Sequence, residues 1–98
     1  MYGLIGRIRA VPGKRAELAA ILIQEDGSMP GCLSYIVAED PTDADVLIVT
    51  EVWTEQAAHR ASLHLPAVQA LIAKGRPLIA GFDSQVETKV LGGIGLKG

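Results

Sequence analysis

The pattern of apolar positions is most telling from Asp45 to Thr54, where DVLIVTEVWT reads as a strand that does not alternate cleanly between greasy and polar. Side chains on a strand point to opposite faces in turn. One face of this strand carries Leu47, Val49, Glu51 and Trp53, and the other carries Val46, Ile48, Thr50 and Val52. Both faces are mostly apolar, so both are expected to be covered. A short chain covers one face with its own helices. The other calls for a second copy of the protein.

The same reading gives the remaining elements. Tyr2 to Val11 predicts a strand, ended by Pro12-Gly13. Lys14 to Glu25 predicts a helix with Leu18, Ile21, Leu22 and Ile23 on one side. Asp26-Gly27-Ser28 and Pro30-Gly31 break the chain, and Cys32 to Glu39 forms a second strand. The turn composition of Asp40 to Asp43 returns the third strand antiparallel to it. Thr54 is the expected N-cap of a helix reaching Leu63. Pro66 opens another helical segment, with Val68, Leu71 and Ile72 sharing a face and Gly75 as its cap. Phe82 to Leu91 is the last strand, with Phe82, Val86 and Val90 on one face. The glycine-rich tail from Gly92 to Gly98 is either loose or an arm toward a partner.

This order, βαββαβ, is the α+β ferredoxin-like plan, a four-stranded antiparallel sheet with the helices on one face. The expectation is one domain over residues 1–98. Its bare sheet face would measure roughly 400 Å² from strand spacing and rise, near the upper range for an exposed apolar patch on a monomer. A homodimer pairing sheet against sheet is therefore expected.

Composition agrees with association. Hydrophobic residues make up 49% of the 98 residues and charged residues only 20%, apolar for so small a domain. A net charge of −2, with no Lys/Arg run, gives no grip on nucleic acid or an anionic membrane. Cys32 is the only cysteine, which leaves no internal disulfide and no cysteine-based metal set. Neither a signal-peptide pattern nor a stretch long enough to span a bilayer is visible, so a cytoplasmic location is expected.

No nucleotide loop, nucleophile elbow or metal-ligand spacing occurs. What remains is Trp53, Glu51, Tyr35 and the two histidines. Trp53 offers a flat wall for an aromatic ligand and an indole donor, or else it packs a core or interface. A carboxylate in a greasy strand, as at Glu51, is either salt-bridged or carries a raised pKa suited to a general base. Tyr35 either contacts a phenolic substrate or sits at the sheet edge. His64, before the Pro66 helix, could reach the mouth of a pocket, while His59 lies mid-helix; either could serve as a base.

These residues resemble the antibiotic biosynthesis monooxygenase family. The likeness rests on Gly13 after the first strand, the segment PGCLSY from Pro30 to Tyr35, and EVW at Glu51 to Trp53 followed by the Pro66 helix. It spans Tyr2 to about Val90. It implies a dimeric α/β barrel and oxygenation of quinols, anthrones or similar aromatics by molecular oxygen, with no cofactor and no metal. Members commonly carry a histidine nine residues after the motif tryptophan, and another after the proline; here these positions are Ser62 and Ala67. Trp53, Tyr35 and Ser62 are the candidate substrate contacts; His64 is out of register with the motif histidine and inherits no role by matching, which leaves His64, Glu51 or Tyr35 as the substitute proton acceptor. The related haem-degrading enzymes use an asparagine, and this chain has none.

Overall fold

A computed structural model describes residues 1–24 and 29–96. Strand β1 (Tyr2–Ala10) leads to helix α1 (Arg15–Leu22), then β2 (Cys32–Glu39), β3 (Val46–Trp53), α2 (Gln56–Ser62), α3 (Pro66–Gly75), a single 3-10 turn (Arg76–Leu78) and β4 (Ile79–Lys89). The four strands form one antiparallel sheet in the order β2-β3-β1-β4, the ferredoxin-like arrangement. Helix α1 ends at Leu22, with Ile23 and Gln24 already in a turn, short of the expected Glu25; Glu25 itself, the break at Asp26 to Ser28 and the last two tail residues lie outside the described residues. Among the described residues no helix is long and apolar enough to cross a membrane.

Pairing across the sheet decides which side chains share a face. Leu4 stands opposite Glu51, Gly6 opposite Val49 and Ile8 opposite Leu47. Tyr35 and Val37 of β2 face Glu51 and Val49 from the other side. This is the helix-covered face. Its core is Ile8, Ala10, Leu18, Leu47 and Val49, with Leu22 and Ile79 packed against it. Burying each large aliphatic side chain here stabilises the fold by about 1.5–3 kcal/mol. Helix α3 comes close to α1 at Gly75, where an added Cβ would lie 3.3 Å from Leu18 Cδ1.

Several local expectations are corrected. The N-cap of α2 is Glu55, in extended backbone, and not Thr54, whose N–H is held by the Gly31 carbonyl at 2.9 Å. Gly75 is the last residue of α3 with ordinary helical backbone, and serves close packing instead of a left-handed cap. Strand β4 begins at Ile79, three residues before the expected Phe82. A register shift between Arg7 and Ile8 then separates Phe82 from Val86: Phe82 pairs with Ile8 and Val86 with Ile5, on opposite faces of the sheet.

The far end of the sheet is tied by charge. Arg9 bridges Asp43 and Asp83 at 2.9 and 2.7 Å, joining the β2–β3 turn to β4. Arg7 pairs with the buried Asp40. The N–H of Thr42 first, then Arg7 and the Thr42 hydroxyl, hold the Asp40 carboxyl down at about 2.

Candidate functional site

Between the helices and the sheet lies a cavity of about 430 Å³, within the range of small-molecule sites. Its floor is the helix-facing row of the strands, including Tyr35, Glu51 and Trp53, and its roof comes from α2 and α3. Leu63, Ile72 and Phe82 line it and are also exposed, so they mark its mouth.

The polar groups gather at one end for a simple geometric reason. Glu51 and Trp53 are two residues apart on β3 and so share a face, and the Trp53 Nε1–H donates to Glu51 Oε1 at 3.1 Å. Tyr2 stands opposite Trp53 in the register. The ring of His59, one turn into α2, lies against both: edge-on to Trp53 at 5.4 Å between centroids and tilted to Tyr2 at 5.8 Å. Tyr2 is itself anchored, its hydroxyl donating to Glu87 at 2.8 Å, with Gln56 donating to the same oxygen.

Glu51 is the electrostatic centre. Its side chain is only 15% exposed. Burial pushes its pKa above the ordinary carboxylate value, and the Trp53 hydrogen bond and His59 pull partly the other way. His59 Nε2 is 4.0 Å from Glu51 Oε1, too far for a direct hydrogen bond. Oε2 has no donor among the described residues. A carboxylate with one donor among the described residues, in an apolar pocket, is arranged to accept a proton from a bound ligand.

The structure brings together Glu51, Trp53, Tyr35 and Ser62 from the sequence-based set, all lining the cavity. Ser62 is buried, and its hydroxyl donates to the His59 carbonyl at 2.6 Å, which holds the last turn of α2. His64 is not brought in. It is exposed in the turn between α2 and α3, outside the cavity lining, and His59 takes the place expected of it. The signal for His59 was present in the sequence: with α2 starting at Gln56, position 59 falls one turn in, and a histidine there reaches back over the strand that precedes the helix. Tyr2 and Arg76 were also missed, the first at the chain start and the second in a turn. Among the described residues no group of three or more His, Cys, Asp or Glu side chains could hold a metal ion.

Known proteins are similar to this chain in sequence and fold. A candidate antibiotic biosynthesis monooxygenase of Chloroflexus aurantiacus is 57% identical and superposes with a TM-score of 0.92, over 97% of each chain. A second, from Deinococcus radiodurans, is 25% identical with a TM-score of 0.78 over the full length of both. An uncharacterised protein of Synechocystis is 32% identical over 78 residues, 76% of this chain; the match spans 53% of that longer relative. The family model for antibiotic biosynthesis monooxygenases matches residues 1–74, which include both the EVW strand and the helix that supplies His59. The chain belongs to the antibiotic biosynthesis monooxygenase family.

Proposed function

We propose that the protein oxygenates a small, flat, electron-rich phenol, of the quinol or anthrone kind, with molecular oxygen and no bound cofactor, and that it does so as a homodimer. The observation that carries this reading is the Glu51 carboxylate, raised in pKa by burial and facing an apolar cavity walled by Trp53. The phenolic proton passes to Glu51, and the resulting anion gives one electron to oxygen. The substrate radical and superoxide then join at a ring carbon. The peroxide takes up the proton and loses water as the carbon gives up its hydrogen and becomes a carbonyl. One oxygen atom enters the product and the other leaves as water, so a substrate AH2 and O2 give AO and H2O. Tyr35 and the His59 imidazole orient the ring, and the aliphatic roof excludes water from the radical pair.

The test is oxygen uptake over a panel of hydroquinones and anthrones, followed with labelled oxygen. One labelled atom in the product per oxygen consumed is expected. Trp53→Phe, which removes both the wall and the donor to Glu51, should slow turnover at least about tenfold.

A second reading, a binding module without turnover, draws on the position where the family commonly places a histidine. Here it is Ser62, whose hydroxyl is occupied by the helix backbone. Saturable quenching of the single tryptophan by a quinol, with no oxygen consumed, would decide for this alternative.

A further inference from the structure

The thioether of Met29 is a nucleophile that the proposed chemistry leaves idle, and it lines the cavity. The chain has two methionines, and they differ sharply: Met1 is 42% exposed and Met29 only 7%. Met29 is buried without belonging to the core of Ile8, Ala10, Leu18, Leu47 and Val49. It is a wall residue of the cavity, and the only sulfur among the described lining residues. Methionine suits an irregular gap of this kind, because its side chain is unbranched and polarisable.

Its place in the wall follows from the backbone. Met29 to Cys32 form a tight turn, with the Cys32 N–H donating to the Met29 carbonyl at 3.1 Å and Gly31 at a φ of 81°. The Thr54 N–H donates to the Gly31 carbonyl at 2.9 Å, and Cys32 pairs with Trp53 across the sheet. The turn is thus tied to the end of β3 that carries Trp53, two residues from Glu51. Trp53 is wholly buried and lines the same cavity as the Met29 thioether. An oxidant in bulk water meets Met1 first, since susceptibility follows exposure. An oxidant held in the cavity meets Met29 instead.

We infer that Met29 is an oxidative modification site, converted to its sulfoxide by an apolar organic hydroperoxide held in the cavity. The sulfur attacks the distal oxygen of the hydroperoxide: an S–O bond forms, the O–O bond breaks, and the proton moves to the oxygen that leaves as an alcohol. Sulfur loses two electrons and the peroxide gains them. The inference rests on the proposed function only for the origin of the oxidant, which is then the substrate's own hydroperoxide before it loses water. Each such event releases the substrate as an alcohol in place of the carbonyl product, and leaves a polar S=O group in an apolar wall. The protein so modified holds a flat apolar ring less well, and reduction of the sulfoxide restores it.

Cumene hydroperoxide is the probe, with sulfoxide at Met1 and Met29 followed by peptide mass spectrometry. Met29 should oxidise at least about tenfold faster than Met1, as holding the reactants together allows. Hydrogen peroxide, with no apolar part to hold it in the cavity, should lose that preference. Cumyl alcohol, which has the same shape and no peroxide, should slow the reaction at Met29 and leave Met1 unaffected. Oxidation of Met1 ahead of Met29 by cumene hydroperoxide, an equal Met29 preference with hydrogen peroxide, or no protection by cumyl alcohol overturns the inference and leaves the proposed oxygenation standing. A substrate turned over under labelled oxygen should put label into the Met29 sulfoxide, and oxygen uptake should decay as that label accumulates. In Met29→Leu, which keeps the side-chain volume, uptake should hold steady from its own starting rate. Turnover without label at Met29, or the same decay in Met29→Leu, also overturns the inference. If no phenol is turned over while cumene hydroperoxide still marks Met29, the oxygenation falls and the modification site stands.

Discussion

At the residue scale the molecule turns on Glu51. A carboxylate whose pKa is raised by burial binds its proton more tightly in the folded state than in the unfolded chain. Its contribution to stability is therefore fully present below the unfolded carboxylate value and is lost as pH rises through the folded value. The functional consequence has the opposite sign, because a proton acceptor works only once it is ionised. Oxygen uptake should climb with pH above the ordinary carboxylate range, while the folded state loses a little stability over the same interval. Glu51→Gln should flatten both profiles: the amide oxygen still accepts from Trp53, yet nothing there titrates. Turnover in that variant should drop by about 10²–10⁴, the span typical of a lost general base, with a melting temperature at neutral pH equal to or above wild type. A pH profile of uptake that keeps its low-pH limb in Glu51→Gln would assign the proton transfer to another group.

At the scale of elements, α2 decides what the cavity contains, because it delivers His59. Its seat against the start of β2 depends on Gly31, which has a positive φ of 81° and comes so close to the helix that an added Cβ would lie 2.7 Å from Ala58 Cβ. The next residue along the helix is His59. Gly31→Ala therefore meets the left-handed backbone and overlaps with both Ala58 Cβ and Thr54 Oγ1, at 2.7 and 2.9 Å, and should destabilise by about 2–3 kcal/mol, read as a lowered urea midpoint. Ala58→Gly in the same chain relieves only the overlap with the helix. The double variant should be more stable than the sum of the two single changes; strict additivity would show that the helix is seated by something else.

The elements also show what the sequence could and could not reveal. Hydrophobic runs and Pro/Gly breaks placed all four strands and both long helical segments, because burial imposes those periods directly. The face assignment of β4 failed because alternation assumes an unbroken register. The shift beside Arg7 turns Phe82 toward the cavity while Val86 points the other way, and no residue pattern marks it. The candidate site was legible on β3, where Glu51 and Trp53 share a face by simple alternation. It was not legible on the helices, where choosing between His59 and His64 required the start of α2 to within a residue. Arg76 was invisible for another reason: an arginine in a turn has no pattern, and only the fold puts it at a cavity rim.

For the whole molecule, the question is what covers the sheet face away from the helices. Ile5, Ile36 and Val86 lie there, 37%, 57% and 51% exposed, on three different strands. Thr50 and Val52 of β3 share that face, so the apolar patch runs across the sheet and is not confined to one edge. Its central strands are firmly paired by backbone, which leaves side-chain burial as the only stabilisation still open to it. A second copy offering the same patch satisfies this with a two-fold axis and no new chemistry. Sedimentation equilibrium at micromolar concentration should accordingly give twice the chain mass. Ile36→Lys places a charge at the β2 side of the patch in both copies at once, so each dimer carries the defect twice. Association should weaken by about 3 kcal/mol or more, over a hundredfold in dissociation constant. The melting temperature should fall with it and become strongly concentration dependent, because folding and association are then linked. A wild-type protein that sediments as a monomer, with Ile36→Lys melting at the same temperature, would mean that this face is stable in water alone. The excess of apolar residues in the chain would then need a different explanation.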